Sequence, residues 1–117
     1  MAEYSASQMI LAVLQGDDSD NTIRALNEAG FFVTLLSSTG GFLKKRSTTV
    51  MIGVEEEKLP RVLEILKHYA GKRTETVYQS VALPHAGEVA PIPPIPMTRQ
   101  TGGVTVFVMD LRQMEKF

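Results

Sequence analysis

The chain contains no cysteine. Disulfides, thiolate nucleophiles, Cys-ligated zinc and iron–sulfur clusters are excluded together by that one absence. Long apolar runs are missing as well. The run at residues 9–14, within QMILAVLQG, is too short to cross a bilayer and has no basic residue ahead of it. Neither a signal peptide nor a membrane span is expected, and the expected compartment is the cytoplasm. Nor does one sign of charge dominate. Twelve Lys+Arg stand against 13 Asp+Glu, a net charge of -1. With no broad basic field, neither DNA nor RNA is expected as a partner. What remains is an ordinary globular composition, 44% hydrophobic and 21% charged over 117 residues. A chain of that length buries roughly two-thirds of its surface on folding. Residues 1–117 are therefore read as one domain.

Hydrophobic patterning orders the chain. QMILAVLQ, closed by Gly16, is nearly continuously apolar and reads as a buried strand over residues 8–15. DDSDNTIRALNEAG follows as a helix, with Asp17, Asp18 and Asp20 at its positive end, a stripe of Ile23, Leu26 and Asn27, and Gly30 as its stop. FFVTLLS and TTVMIGV are rich in β-branched and aromatic residues and form a predicted antiparallel hairpin. EEEKLPRVLEILKHYA predicts a second helix, with Pro60 in its first turn and Leu59, Val62, Leu63, Leu66 and Tyr69 along one face. Beyond it only a short strand near residues 76–81 is predicted. Five prolines from Pro84 to Pro96 then argue for a long, partly extended loop. GGVTVFVMDL closes the pattern as a strand. The order β-α-β-β-α-β is the ferredoxin-like, split βαβ arrangement of an α+β fold. Its strands carry more apolar residues than one sheet face can use, which points towards an oligomer.

The hairpin tip carries the strongest chemical signal. In SSTGGFLKKRS, Gly40 and Gly41 can adopt positive φ and turn successive N–H groups into a concave anion nest. Ser38 and Thr39 add hydroxyl donors, Lys44, Lys45 and Arg46 add charge, and Phe42 offers a face for a base. A glycine-bulged hairpin with solvated cations fits the same residues. The GxxxxGK[ST] spacing of a phosphate-binding P-loop is absent. His68 and His85 have no third ligand at metal spacing, and Glu55, Glu56 and Glu57 sit where a helix begins, so no metal site and no catalytic constellation is predicted. The segment PHAGEVAPIPPIPM is either a partner-binding segment or a surface connection.

TLLSSTGGFLKKRSTTVMIGV, followed by a second helix, a long loop and GGVTVFVMD, resembles the PII-like cyclic di-AMP receptor family over nearly the whole chain. The resemblance implies a homotrimer of ferredoxin-like subunits with one cyclic dinucleotide at each subunit interface. It further implies a long loop, residues 82–100, that reorganises to regulate a downstream protein. It implies no catalytic activity, cofactor or metal. Matched position by position, Thr34, Gly40, Gly41, Phe42, Leu43 and Gly53 fall in the family's ligand-contacting segments. Ser38, Thr39, Lys44 and Ser47 complete the candidate set. Three positions depart: Phe32 where an arginine is common, Ser47 where an asparagine is common, and Lys116 where a glutamine is common. Phenylalanine cannot supply arginine's planar fork of donors. Another nucleotide ligand stays open beside cyclic di-AMP, as does a metal-handling or scaffold role on the same fold.

Overall fold

Strict alternation of buried and half-buried residues in two strands sets the architecture. The computed structural model describes residues 6–36, 47–79 and 94–117. In β1 (Gln8–Gln15), Ile10, Ala12 and Leu14 are buried, and in β3 (Ser47–Val54) Thr48, Val50, Ile52 and Val54 are buried. The strands pair antiparallel, with Ile10 opposite Ile52 and Ala12 opposite Val50, so all these side chains point to one face. β2 (Val33–Leu36) pairs with the outer edge of β3, and β6 (Val104–Asp110) pairs antiparallel with the free edge of β1. The sheet order is β2-β3-β1-β6.

Helix α1 (Gly16–Glu28) begins directly at the end of β1, with Asp17 and Asp18 in its first turn. It buries Asp18, Thr22 and Leu26 at successive i+4 spacings, while Ile23 is half-buried and Asn27 exposed. The predicted stripe is therefore rotated and half polar. Thr22 remains compatible with burial because its hydroxyl donates to the Asp18 carbonyl at 2.7 Å. The helix ends as a Schellman motif. Gly30, at φ +93°, donates to the Asn27 carbonyl, and Phe31 donates to the Leu26 carbonyl at 2.9 Å. Phe31 turns into the core beyond it.

A 3₁₀ turn at Glu56–Lys58 leads into α2 (Leu59–Ala70), with Pro60 in the first turn as predicted. The buried stripe is Val62, Ile65, Leu66 and Ala70; Leu63 and Tyr69 are exposed. One apolar cluster joins Leu26 of α1, Val62, Ile65 and Leu66 of α2, and the buried residues of β1 and β3. Both helices thus cover the same sheet face. Each fully buried aliphatic side chain there contributes about 1.5–3 kcal/mol relative to exposure. The result is a mixed α+β fold with antiparallel sheets and two helices, compatible with the ferredoxin-like arrangement.

Residues 95–101 correct the predicted loop. They form β5 (Ile95–Thr101), paired antiparallel with β4 (Arg73–Gln79) in a separate two-stranded ribbon. The strand contains Pro96, opposite Tyr78. A two-stranded ribbon consists of two edges, where an outward N–H has no ladder partner, so a missing N–H is tolerated. Proline density was thus a poor guide here. The rest of the proline-rich segment, residues 80–93, lies outside the described residues.

Candidate functional site

Antiparallel pairing places directly opposed residues on the same side of a sheet. The even residues of β1 face the helices, so the odd ones line the opposite, open face. Three rows cross that face. Leu36, Thr49, Val13 and Thr105 form one, Thr34, Met51, Leu11 and Phe107 the next, and Gly53, Met9 and Met109 the third. At one end of β3, Ser47 stands opposite Gln15. The described candidates Thr34, Ser47 and Gly53 therefore share one face of the sheet. Thr34 and Ser47 are exposed, and Gly53 is half-buried.

The remaining candidates, Ser38, Thr39, Gly40, Gly41, Phe42, Leu43 and Lys44, lie outside the described residues, in the segment joining β2 to β3. The described strands fix where that segment starts and ends. Leu36 and Ser47, the described residues on either side of it, belong to antiparallel neighbours. Phe32, just before β2, is 69% exposed. Continuing the β2–β3 register by one residue carries it opposite Gly53.

Phe107 lies outside the candidate set read from the sequence. It is 52% exposed and stands in the row of Thr34, so a large aromatic surface lies on the same face as the candidate donors. Its signal was the period of two in VTVFVMD, which assigns Thr105, Phe107 and Met109 to one side and Val104, Val106 and Val108 to the other. Met9, Leu11, Val13 and Met51 are half-buried there without any helix above them. Apolar side chains thus line much of the face opposite the helices.

The other flagged groups lie elsewhere. His68 sits near the C-terminal end of α2, in edge-to-face contact with Tyr69 at 4.7 Å between ring centroids. It lines a shallow groove between the helices with Glu28, Arg61 and Glu64, on the side away from Thr34. His85 lies outside the described residues. Among the described residues no group of three or more His, Asp or Glu could hold a metal ion. No helix among them is long and apolar enough to cross a membrane.

The most developed polar constellation was not legible in the sequence. Asp18 in α1 accepts two hydrogen bonds from Arg73 at the start of β4, 2.6 Å from Nη2 and 3.2 Å from Nη1. The Asp18 carboxylate raises the Arg73 guanidinium above its ordinary pKa, chiefly through the hydrogen bond; burial opposes it, and the charges of Asp18 and Glu75 add to the rise. The two residues are 55 positions apart, and neither belongs to a motif.

The sequence profile of the cyclic-di-AMP receptor family matches residues 7–117. A crystal structure of a functionally unknown protein from Pediococcus pentosaceus ATCC 25745 is similar at 34% identity with a TM-score of 0.73. The match covers 97% of this chain and 100% of that one.

Proposed function

The chain belongs to the cyclic-di-AMP receptor family, and on that premise we propose that it is a PII-like signalling protein whose ligand is cyclic di-AMP. The family match over residues 7–117 is the observation that carries this reading. The role is binding and signalling, without catalysis, in a cytoplasmic single-domain chain.

The geometry supports a specific arrangement. Thr34, Ser47 and Gly53 share the open face, and Gly40, Gly41, Phe42 and Leu43 lie between Thr34 and Ser47 in sequence; together they would offer a nucleotide hydroxyls, backbone N–H groups and an aromatic surface. Cations at Lys44, Lys45 and Arg46 would answer the phosphates. The apolar open face supports assembly into a homotrimer, with the ligand held between subunits. In such an assembly Leu11, Met51 and Phe107 would be covered by a neighbouring copy. Binding would then act on the proline-containing segment that follows β4, exposing or hiding a surface for a downstream protein.

Phe32, Ser47 and Lys116 replace the arginine, asparagine and glutamine common in the family. Phe32 exchanges charge for a flat apolar surface beside Gly53, which favours stacking over a phosphate fork. The decisive experiment is calorimetric titration with cyclic di-AMP, alongside cyclic di-GMP, ATP and AMP at identical salt. Selective binding of cyclic di-AMP at one ligand per chain is expected. Binding of none of the four nucleotides would sink the receptor reading for this chain while leaving its fold intact.

A further inference from the structure

Both legs of the β4–β5 ribbon leave the body of the protein at one corner, where β1 turns into α1. On the first leg, Arg73 grips Asp18 through both guanidinium nitrogens, and its Nη1 also donates to the Gly71 carbonyl at 3.2 Å. Asp18 is only 6% exposed, so this carboxylate is held away from water and depends on its partner. On the second leg, the Gly102 N–H donates to Gln15 Oε1 at 3.1 Å, and the Gly103 N–H donates to the Ala70 carbonyl at 2.7 Å. The legs pass so closely that a side chain at Gly102 has no room. A Cβ there would collide with the Gly71 carbonyl oxygen and with Arg73 Nη1, and its φ of +80° also favours glycine.

Among the described residues the ribbon has little else to hold it. None of its described side chains is buried. A two-stranded ribbon with no core is marginal by itself in water. Its direction is therefore set at its base. The same corner also meets the neighbouring strand, because Gln15 is paired with Ser47, the first residue of β3.

We propose that Gln15 and Asp18 are positioning residues that latch the ribbon to the β1–α1 corner and couple it to the strand leaving the nucleotide-binding segment. The latch itself is a property of the chain without ligand; only its coupling to nucleotide rests on the receptor reading. Ser47 moving with bound ligand would displace Gln15, which would loosen Gly102 and let the ribbon turn about Arg73.

The absence of cysteine makes the test direct. Spin labels on Arg24→Cys in α1 and Thr76→Cys in β4, both exposed positions, report the ribbon's direction by pulsed electron resonance. Excess unlabelled chain restricts the readout to distances within one subunit. The parent is expected to give a single narrow distance, and Arg73→Gln to lose it. The double variant Asp18→Asn, Arg73→Gln removes the ion pair without leaving a buried lone charge, so it tests the latch even if Arg73→Gln fails to fold. It too is expected to lose the narrow distance while the circular dichroism of the body is retained. Retention of the parent's narrow distance in the double variant overturns the latch. Cyclic di-AMP added to the labelled parent should shift the distance, and the shift should disappear in Gln15→Ala. A chain that binds the nucleotide and shifts equally with and without Gln15 overturns the coupling. Absence of binding in calorimetry instead overturns the receptor reading, and the unliganded distances still decide the latch.

Discussion

The four-stranded sheet and the two-stranded ribbon are built from the same chain by opposite means. In the sheet, β1 has a hydrogen-bonded neighbour on each side, and Ile10, Val50 and Ile52 are removed from water completely. In the ribbon, each strand has one neighbour, and Tyr78 is 70% exposed. The sheet is held by what covers it; the ribbon is held by where it is tied. Register alone does not make a stable element. The ribbon has seven opposed pairs, nearly as many as the eight of β1 with β3, yet has no face that excludes water.

The sharpest way to break this comparison is truncation on each side. Leu66→Ala removes a side chain from the shared core and is expected to cost about 2–5 kcal/mol in urea unfolding followed by circular dichroism. Tyr78→Ala in the ribbon is expected to stay within about 0.5 kcal/mol. Equal costs would mean that the ribbon is packed in solution as the sheet is, as it would be beneath a second subunit. Next in size is Arg73→Ala, which leaves the Asp18 carboxylate buried without its partner. A loss of about 1–3 kcal/mol is expected. Amide hydrogen exchange should quicken throughout β4 and β5 while β1 and β3 keep their protection. Uniform quickening would show that the ribbon and the sheet open as one unit. The smallest effect belongs to the cross-strand pair in which Arg99 donates to Glu75 Oε1 at 2.7 and 2.9 Å. Both partners are substantially exposed, so Arg99→Ala should cost at most about 1 kcal/mol, less at high salt. A larger loss would identify the pair as a second tie.

Legibility in the sequence followed the same division. QMILAVLQ, TTVMIGV and GGVTVFVMD were readable as strands because each is a short run dense in apolar and β-branched residues, which packing beneath the helices requires. Gly30 was readable as a stop because only glycine suits its φ of +93°. The helix stripes were harder. Leu63 and Tyr69 satisfied the period but lie beside the buried row, since spacing fixes an angle and not which neighbour the helix meets. Strand β5 was hidden because its residues are almost all exposed, so it carries no hydrophobic alternation, and Pro96 argued against it. Of the candidate site, Thr34, Ser47 and Gly53 could be placed on one face once register was known. Phe107 stands in a strand that is apolar on both sides, so composition alone does not mark which side it occupies. The Asp18–Arg73 pair escaped because only the folded chain brings residues 55 apart together.

The central position of β1 bears on how the molecule is made. One of its partners, β6, pairs Gln8 with Asp110, and the Gln8 amide donates to that carboxylate at 2.7 Å across 102 residues. A ribosome synthesising this chain has released β1, both helices and β3 before β6 can dock. Until then one edge of β1 is open to any strand that arrives first, including one from another nascent copy. The earlier pairing with β3 and the cover from both helices are available before that point. β6 therefore closes the sheet after β3 and both helices are in place, and a chain that stopped before Val104 would leave β1 open on that side for the life of the molecule.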